Sequence, residues 1–333
     1  MREPGFWWRA GEWPSVLLTP LAALYAAVAA RRMARSGTSA PVPVICIGNP
    51  TVGGAGKTPL ALAIARMLAG AGETPVLLSR GYGGRLAGPI RVDPPRHRSL
   101  DVGDEPLLLA RAAPTIVARD RVKGAAAAVA EGASIIVMDD GFQNPTLRKD
   151  FSVLVIDAQR GLGNGKVLPA GPLRAPLKAQ LDRAHALVLV GQSPAEPAAA
   201  GEARNRGVPV LRARLEPDAG VAAELARHRV LAFAGIGDPE KFFLTLGKAG
   251  VAVVATRSFA DHHRYSAADA RALCRHAERD GLLLVTTEKD LARLQGDAEA
   301  AELAGRARAL PVTLALDDEA AFARLMREKI SRL

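Results

Sequence analysis

The 333-residue sequence is poor in aromatic side chains, which make up 4% of it, and it carries only two cysteines. Cys46 and Cys274 each lie inside an apolar stretch. A disulfide framework and a cysteine-rich zinc site are thereby excluded, and a reducing compartment fits. The three tryptophans, Trp7, Trp8 and Trp13, all stand within the first 13 residues. The rest of the chain has no aromatic stacking pattern to accompany its basic charge, which argues against a nucleic-acid-binding module.

A membrane-spanning run is also missing. Residues 13–30 are uncharged, but Pro14 and Pro20 interrupt them and alanine supplies much of the remainder. As a helix those 18 residues would reach about 27 Å, short of a hydrocarbon core of roughly 30 Å. The basic cluster Arg31, Arg32 and Arg35 follows the apolar stretch instead of preceding it, the reverse of a signal peptide. Tryptophan, apolar run, then arginine is the order of an interfacial helix lying in one leaflet. Packing of that helix on its own domain is the alternative.

What the chain does have is aliphatic residues and positive charge. Apolar residues make up 49%, and 44 basic against 34 acidic side chains leave a net +10. That balance favours an anionic partner, a nucleotide or an acidic lipid surface. Short apolar runs alternating with Ala/Arg-rich segments predict an α/β fold. Strands are expected at 44–47, 75–79, 114–118, 133–138, 151–156 and 185–190, with helices at 57–69, 106–112 and 121–131. The stretch 192–207, rich in Pro, Ala and Gly, reads as a surface excursion. A second alternation follows, with strands at 230–234, 251–257, 282–286 and 310–315 and helices at 240–249, 267–279 and 318–331. The expected fold is a P-loop NTPase-like parallel sheet with helices on both faces over residues 36–220. A second, smaller α/β domain covers 221–333, and the membrane-associated helix lies within 1–35.

The strongest local signal is Thr51-Val52-Gly53-Gly54-Ala55-Gly56-Lys57-Thr58, between a strand and a helix. Glycines let successive backbone N–H groups wrap phosphate oxygens, and a helix N-terminus adds positive potential. Lys57 is placed to reach the β and γ phosphates of ATP, and the Thr58 hydroxyl to ligate Mg²⁺. Thr51 stands where the usual pattern has its first glycine, so the loop is a variant. Asp139 and Asp140 close an apolar strand, where carboxylates can hold the metal or orient an attacking hydroxyl; capping the turn at Gly141 is the other reading. Asp104 reads by itself as a helix N-cap, and His262-His263 as a solvated loop pair.

Together these segments resemble one family. They are Gly48-Asn49-Pro50 running through the phosphate loop to Pro59, Leu78-Ser79-Arg80-Gly81-Tyr82-Gly83, Gly103-Asp104-Glu105-Pro106 and Asp139-Asp140-Gly141-Phe142-Gln143. Further along come Leu168-Pro169-Ala170-Gly171-Pro172-Leu173-Arg174, Phe259-Ala260-Asp261-His262-His263 and Thr286-Thr287-Glu288-Lys289-Asp290. Their order and spread resemble the tetraacyldisaccharide 4′-kinases, the lipid A 4′-kinases of Gram-negative bacteria. The resemblance implies transfer of the ATP γ-phosphate to an acylated glucosamine disaccharide 1-phosphate at the cytoplasmic face of the inner membrane, by a peripheral or monotopic enzyme. It implies two α/β/α domains with a cleft between them, and Asp104 assisted by His262 as the base. It places Asp139, Asp140, Thr58 and Glu105 around the metal, and Arg80, Tyr82, Arg121, Gln143 and Arg174 near the substrate. Ala175 departs from the family pattern, which has glutamate there. The competing reading is a membrane-bound ATPase of the partitioning type, whose loop carries a lysine where this chain has Val52.

Overall fold

The computed structural model describes residues 3–330. Its strands are Val44–Gly48 (β1), Pro75–Ser79 (β2), Ile90–Arg91 (β3), Thr115–Val117 (β4), Ile135–Asp139 (β5), Phe151–Asp157 (β6), Ala186–Val190 (β7) and Val210–Pro217 (β8). They continue with Arg229–Ala234 (β9), Ala252–Ser258 (β10), Leu283–Thr287 (β11), Arg308–Leu310 (β12) and Val312–Leu316 (β13). Nine of them form one sheet in the order β13-β8-β7-β6-β1-β5-β2-β4-β3, and four form a second, β10-β9-β11-β12. The second sheet is parallel throughout. The large one is parallel except at its ends, where β3 pairs with β4 and β13 with β8 antiparallel.

Strands β1, β2, β5, β6 and β7 are buried along their whole length. This is why they read as continuous apolar runs: a parallel sheet has helices on both faces. Leu60, Ile64 and Leu68 of helix Lys57–Gly70 cover one face, with Phe322 and Met326 of the last helix. Ala125 and Ala128 of helix Arg121–Ala130 and Met33 of helix Thr19–Met33 cover the other.

Three expectations change. The predicted surface excursion contains a helix, Ala198–Asn205, which buries Ala199, Ala200 and Ala203 against the sheet. Strand β8 follows it. The predicted strand 310–315 is two strands, because Pro311 has no N–H to give a ladder. β12 ends before it in the small sheet, and β13 starts after it in the large one. The chain from Val312 onward thus returns to the first sheet, which departs from the division expected at residue 221. Ser331, where the last helix was expected to end, lies outside the described residues.

At the N-terminus, helices Trp13–Leu17 and Thr19–Met33 follow a short 3₁₀ turn. Two of the three tryptophans are docked on the protein: Trp7 Nε1 donates to the Pro169 carbonyl (3.0 Å) and Trp8 Nε1 to Glu3 (3.1 Å). Trp13 is 73% exposed, and with Leu17, Leu21, Leu24 and Val28 it forms an outward apolar stripe. No helix among the described residues is long and apolar enough to cross a membrane.

Candidate active site at the carboxyl edge of the sheet

Because the central strands run parallel, the segments following β1, β2, β5 and β6 all emerge at one edge, where open α/β sheets bind ligands. After β1 the chain turns through Asn49, whose Nδ2 donates to the Gly53 carbonyl (3.0 Å). The Lys57 ammonium donates back to Asn49 Oδ1 at 3.1 Å. Gly53 (φ 97°) and Gly56 (φ 92°) adopt the left-handed backbone that a side chain would strain. Helix Lys57–Gly70 starts from Gly56 with no side-chain cap, so its first amides remain available to an anion. A second layer supports the loop from below. Val52 N–H donates to the Pro172 carbonyl (2.8 Å), and Arg174 Nε to that of Thr51 (3.0 Å).

The two aspartates at the end of β5 differ. Asp140 (φ 53°) is paired with Arg174 at 2.7 Å and lies 3.8 Å from Lys57. Asp139 is 1% exposed, and its Oδ2 accepts from Thr58 Oγ1 at 3.1 Å. Its Oδ1 is buried with no partner. Burial above all, then the Glu105 charge, pushes its carboxyl up to about 7 against the pull of Lys57. An orphaned carboxylate oxygen beside a threonine hydroxyl fits a hard, oxygen-seeking cation such as Mg²⁺. Among the described residues no three His, Cys, Asp or Glu side chains form a ready metal cage.

This geometry carries a stability prediction. The folded state holds the Asp139 proton more tightly than the unfolded chain does, so stability falls as pH rises from the usual carboxylate range to about 7. Above that value the cost is fully present. Asp139→Asn should therefore melt a few degrees above wild type at pH 8 without Mg²⁺, and the gap should shrink by pH 5. A variant no more stable than wild type at pH 8 would show that the carboxylate is not an uncompensated buried charge.

In the same unit, Asp104 is 3% exposed at the start of helix Asp104–Leu109. Its Oδ1 accepts the Glu105 N–H (3.0 Å), and its Oδ2 lies 3.4 Å from His262 Nδ1 and 2.7 Å from Arg293 Nε. Burial alone would raise this carboxyl, but the His262 hydrogen bond and the Arg293 and Lys289 charges outweigh it and hold it well below the usual range. The same contact raises His262 above the usual imidazole value. Glu105 pairs with Lys289 at 2.7 Å. Tyr82, Asp104, His262 and Arg293 line a cavity of about 80 Å³. Asp140 and His262 are the two non-glycine residues with positive φ among the described residues. Backbone strain of this kind gathers at functional sites.

Comparisons with known proteins agree with this architecture. The profile of the tetraacyldisaccharide-1-P 4′-kinase family matches residues 14–331. The chain belongs to that family. It is 57% identical over 333 residues to the tetraacyldisaccharide 4′-kinase of Nitrobacter winogradskyi, spanning 100% of this chain and 99% of that protein. It is 60% identical over 296 residues to that of Bradyrhizobium diazoefficiens, spanning 89% and 88%. Among solved structures, LpxK from Aquifex aeolicus in complex with ATP superposes with a TM-score of 0.74 at 28% identity, covering 95% of this chain and 99% of that one. The family match displaces the partitioning-type ATPase reading.

The remaining residues expected in this kinase site take different places. Arg80 and Tyr82 are exposed beyond β2, with the Tyr82 ring 5.2 Å from that of His262. Arg121 is buried, donates Nη1 to the Ala118 carbonyl and leaves Nε unpartnered. Gln143 braces the loop, donating to the Asn49 carbonyl and to Gln180 Oε1, both at 2.9 Å. Ala175 is fully buried and offers only its carbonyl, to Gln180 (2.7 Å). His263 parts from His262: it meets Asp269 at 3.1 Å and stacks on Phe259. Sequence reasoning assigns no role to Asn49, Lys289 or Arg293. Only the distances to Lys57, Glu105 and Asp104 single them out.

Proposed function

We propose that this protein transfers the γ-phosphate of ATP to the 4′-hydroxyl of a tetraacylated glucosamine disaccharide 1-phosphate, a step of lipid A synthesis. The observation that carries the reading is the gathering of two half-sites at one cleft. A phosphate loop with buried Lys57 and the Thr58–Asp139 pair shares its unit with buried Asp104, which His262 of the small unit backs, and the charge of neighbouring Glu105 reaches Asp139. Phosphoryl transfer asks the protein for positioning and charge neutralisation more than for covalent chemistry. The loop amides of residues 51–58 and Lys57 bind the triphosphate. Thr58 and Asp139 would hold Mg²⁺, with Glu105 and Asp140 nearby, and the ion would supply neutralisation of charge on the triphosphate. Asp104 accepts the proton of the sugar hydroxyl, and the His262 imidazolium holds its charge in place. Arg80 and Tyr82, exposed beyond β2, would meet the sugar and its own phosphate, buried Arg121 would add positive charge behind them, and Arg174 and Gln143 keep the loop shaped.

In this reading residues 36–217 and 312–330 form the nucleotide unit, and the small sheet closes the cleft over it. Purified protein given ATP labelled at the γ position should label the disaccharide lipid, and an acceptor lacking the 4′-hydroxyl should stay unlabelled. Label on the 4′-deoxy acceptor would remove the proposal.

The acyl chains of such a substrate sit in a bilayer, so the enzyme must meet it there. The stripe Trp13, Leu17, Leu21, Leu24 and Val28, with Arg31 and Arg32 exposed at the helix end, has the composition of an interfacial helix, which would seat the enzyme on the cytoplasmic leaflet of the inner membrane. Replacing Trp13, Leu17, Leu21 and Leu24 together by serine spares the inward contacts of Ser15, Ala22 and Met33. That variant should stop co-floating with anionic vesicles while its melting temperature stays near wild type. Undiminished flotation would assign the stripe another purpose.

A further inference from the structure

Helix Glu288–Leu294, from the small sheet, brings two cations to the adjacent acids of the first unit. Lys289 meets Glu105, and Arg293 meets Asp104. The arginine is the closer partner of that carboxylate. Its Nε donates to Asp104 Oδ2 at 2.7 Å, and Nη2 lies 2.6 Å from the same oxygen without a hydrogen bond, against 3.4 Å for His262 Nδ1. Its side chain is 7% exposed and its direction is set by others. Nη1 donates to the Gly235 carbonyl at 2.6 Å and to Asp290 Oδ1 at 2.7 Å. Asp290 is itself fully buried, accepting from Tyr265 Oη (2.8 Å), the Gly235 N–H (3.0 Å) and Thr287 Oγ1 (2.7 Å). A planar guanidinium so fixed dictates the orientation of the carboxylate it grips, which a lysine's mobile point charge does less well.

We propose that Arg293 is the positioning residue for the acceptor side of the transfer: it clamps Asp104 Oδ2 from the closing unit and leaves Oδ1 as the oxygen that receives the proton. Oδ1 accepts one bond, the Glu105 N–H, and a carboxylate oxygen has a second lone pair to offer. In the step, the sugar O–H bond breaks and its proton goes to Oδ1 while the hydroxyl oxygen bonds to the γ-phosphorus. The bond from that phosphorus to the β–γ bridging oxygen breaks, and its electron pair leaves with ADP. Because the clamp comes from the small sheet, the base is aimed only when the cleft is shut, which ties proton acceptance to closure.

The inference rests on Asp104 being the base, and a four-way kinetic comparison separates the two claims. Wild type, Arg293→Met, Asp104→Ala and the double variant are assayed for turnover and for the KM of ATP. Arg293→Met should lower turnover by up to about 10²-fold, the cost of misplacing a reacting group, with the ATP KM within twofold of wild type. Arg293→Lys should recover part of that loss. In the Asp104→Ala background the Arg293→Met change should alter residual turnover less than twofold, because its only route to the chemistry is gone. An equal loss in both backgrounds would make Arg293 a structural residue and overturn the proposal, as would wild-type turnover of Arg293→Met. Near-normal turnover of Asp104→Ala alone would overturn the base assignment, and the clamp with it. Should Arg293→Met not fold, Arg293→Lys carries the same test: it must lower turnover in the native background and be silent with Asp104→Ala.

Discussion

Lys57→Ala should reduce phosphate transfer by about 10³-fold or more while the protein keeps its fold. Loss of one preorganised donor to developing charge typically costs about 10²–10³-fold, and this donor also carries a full charge in a buried setting. The Lys57 side chain is 8% exposed and touches the site alone: Asn49 Oδ1 at 3.1 Å and Asp140 at 3.8 Å. The core residues of its helix, Leu60, Ile64 and Leu68, stay as they are. Asp140 keeps its ion pair with Arg174, and Asp139, which loses the pull of Lys57, can hold its proton instead, so the melting temperature should move little. Transfer of labelled γ-phosphate and a thermal melt check both halves. Turnover within tenfold of wild type would mean that the phosphates of ATP bind elsewhere.

The other large effect falls on the acceptor side. Asp104→Ala and His262→Ala should each lower turnover, by about 10²–10⁴-fold for a lost general base, with ATP affinity nearly unchanged. The Asp104 carboxyl is held well below the usual range because His262, Arg293 and Lys289 together overcome its burial. His262 leans on it in return, and its contact with Asp104 raises its own proton affinity. Residues 3.4 Å apart that act as a unit lose function together, so the double variant should cost far less than the product of the singles. A product that multiplies strictly would return His262 to an ordinary loop residue. The histidine also predicts a pH effect. Its folded pKa is raised, so its contribution to stability is present below the usual imidazole value and is lost as pH rises through the folded one. His262→Ala should therefore melt below wild type at pH 6, and the gap should narrow as pH rises through the folded value.

The phosphate loop is legible in the sequence because everything that builds it is contiguous. A strand, three glycines and a helix follow one another in 27 residues, from Val44 to Gly70. The backbone conformations that Gly53 and Gly56 supply are properties of those residues themselves. Asp139 is legible for the same reason, as the polar end of the buried run of β5. The buried central strands announce themselves because both of their faces are covered. β8 does not: Arg212, Arg214 and Glu216 interrupt its apolar positions, since it lies near the rim of the sheet. Pro311 marks a break, yet nothing local says that the chain crosses from one sheet to the other there.

The acceptor half of the site belongs to the tertiary structure. Arg293 and Asp104 are separated by 189 positions, and Lys289 and Glu105 by 184. From residue types alone the two acids are a helix start and the histidine a solvated loop, and only the family resemblance joins Asp104 to His262. Asp139 and Asp140 likewise look equivalent in the chain; burial and an arginine 34 positions away make one a filled ion pair and the other an open acceptor. Sequence determined the elements and the phosphate loop because those depend on neighbours along the backbone. Folding decided which charges meet, because electrostatic contacts depend on distance in space and on the removal of water, and neither is written in the spacing of residues.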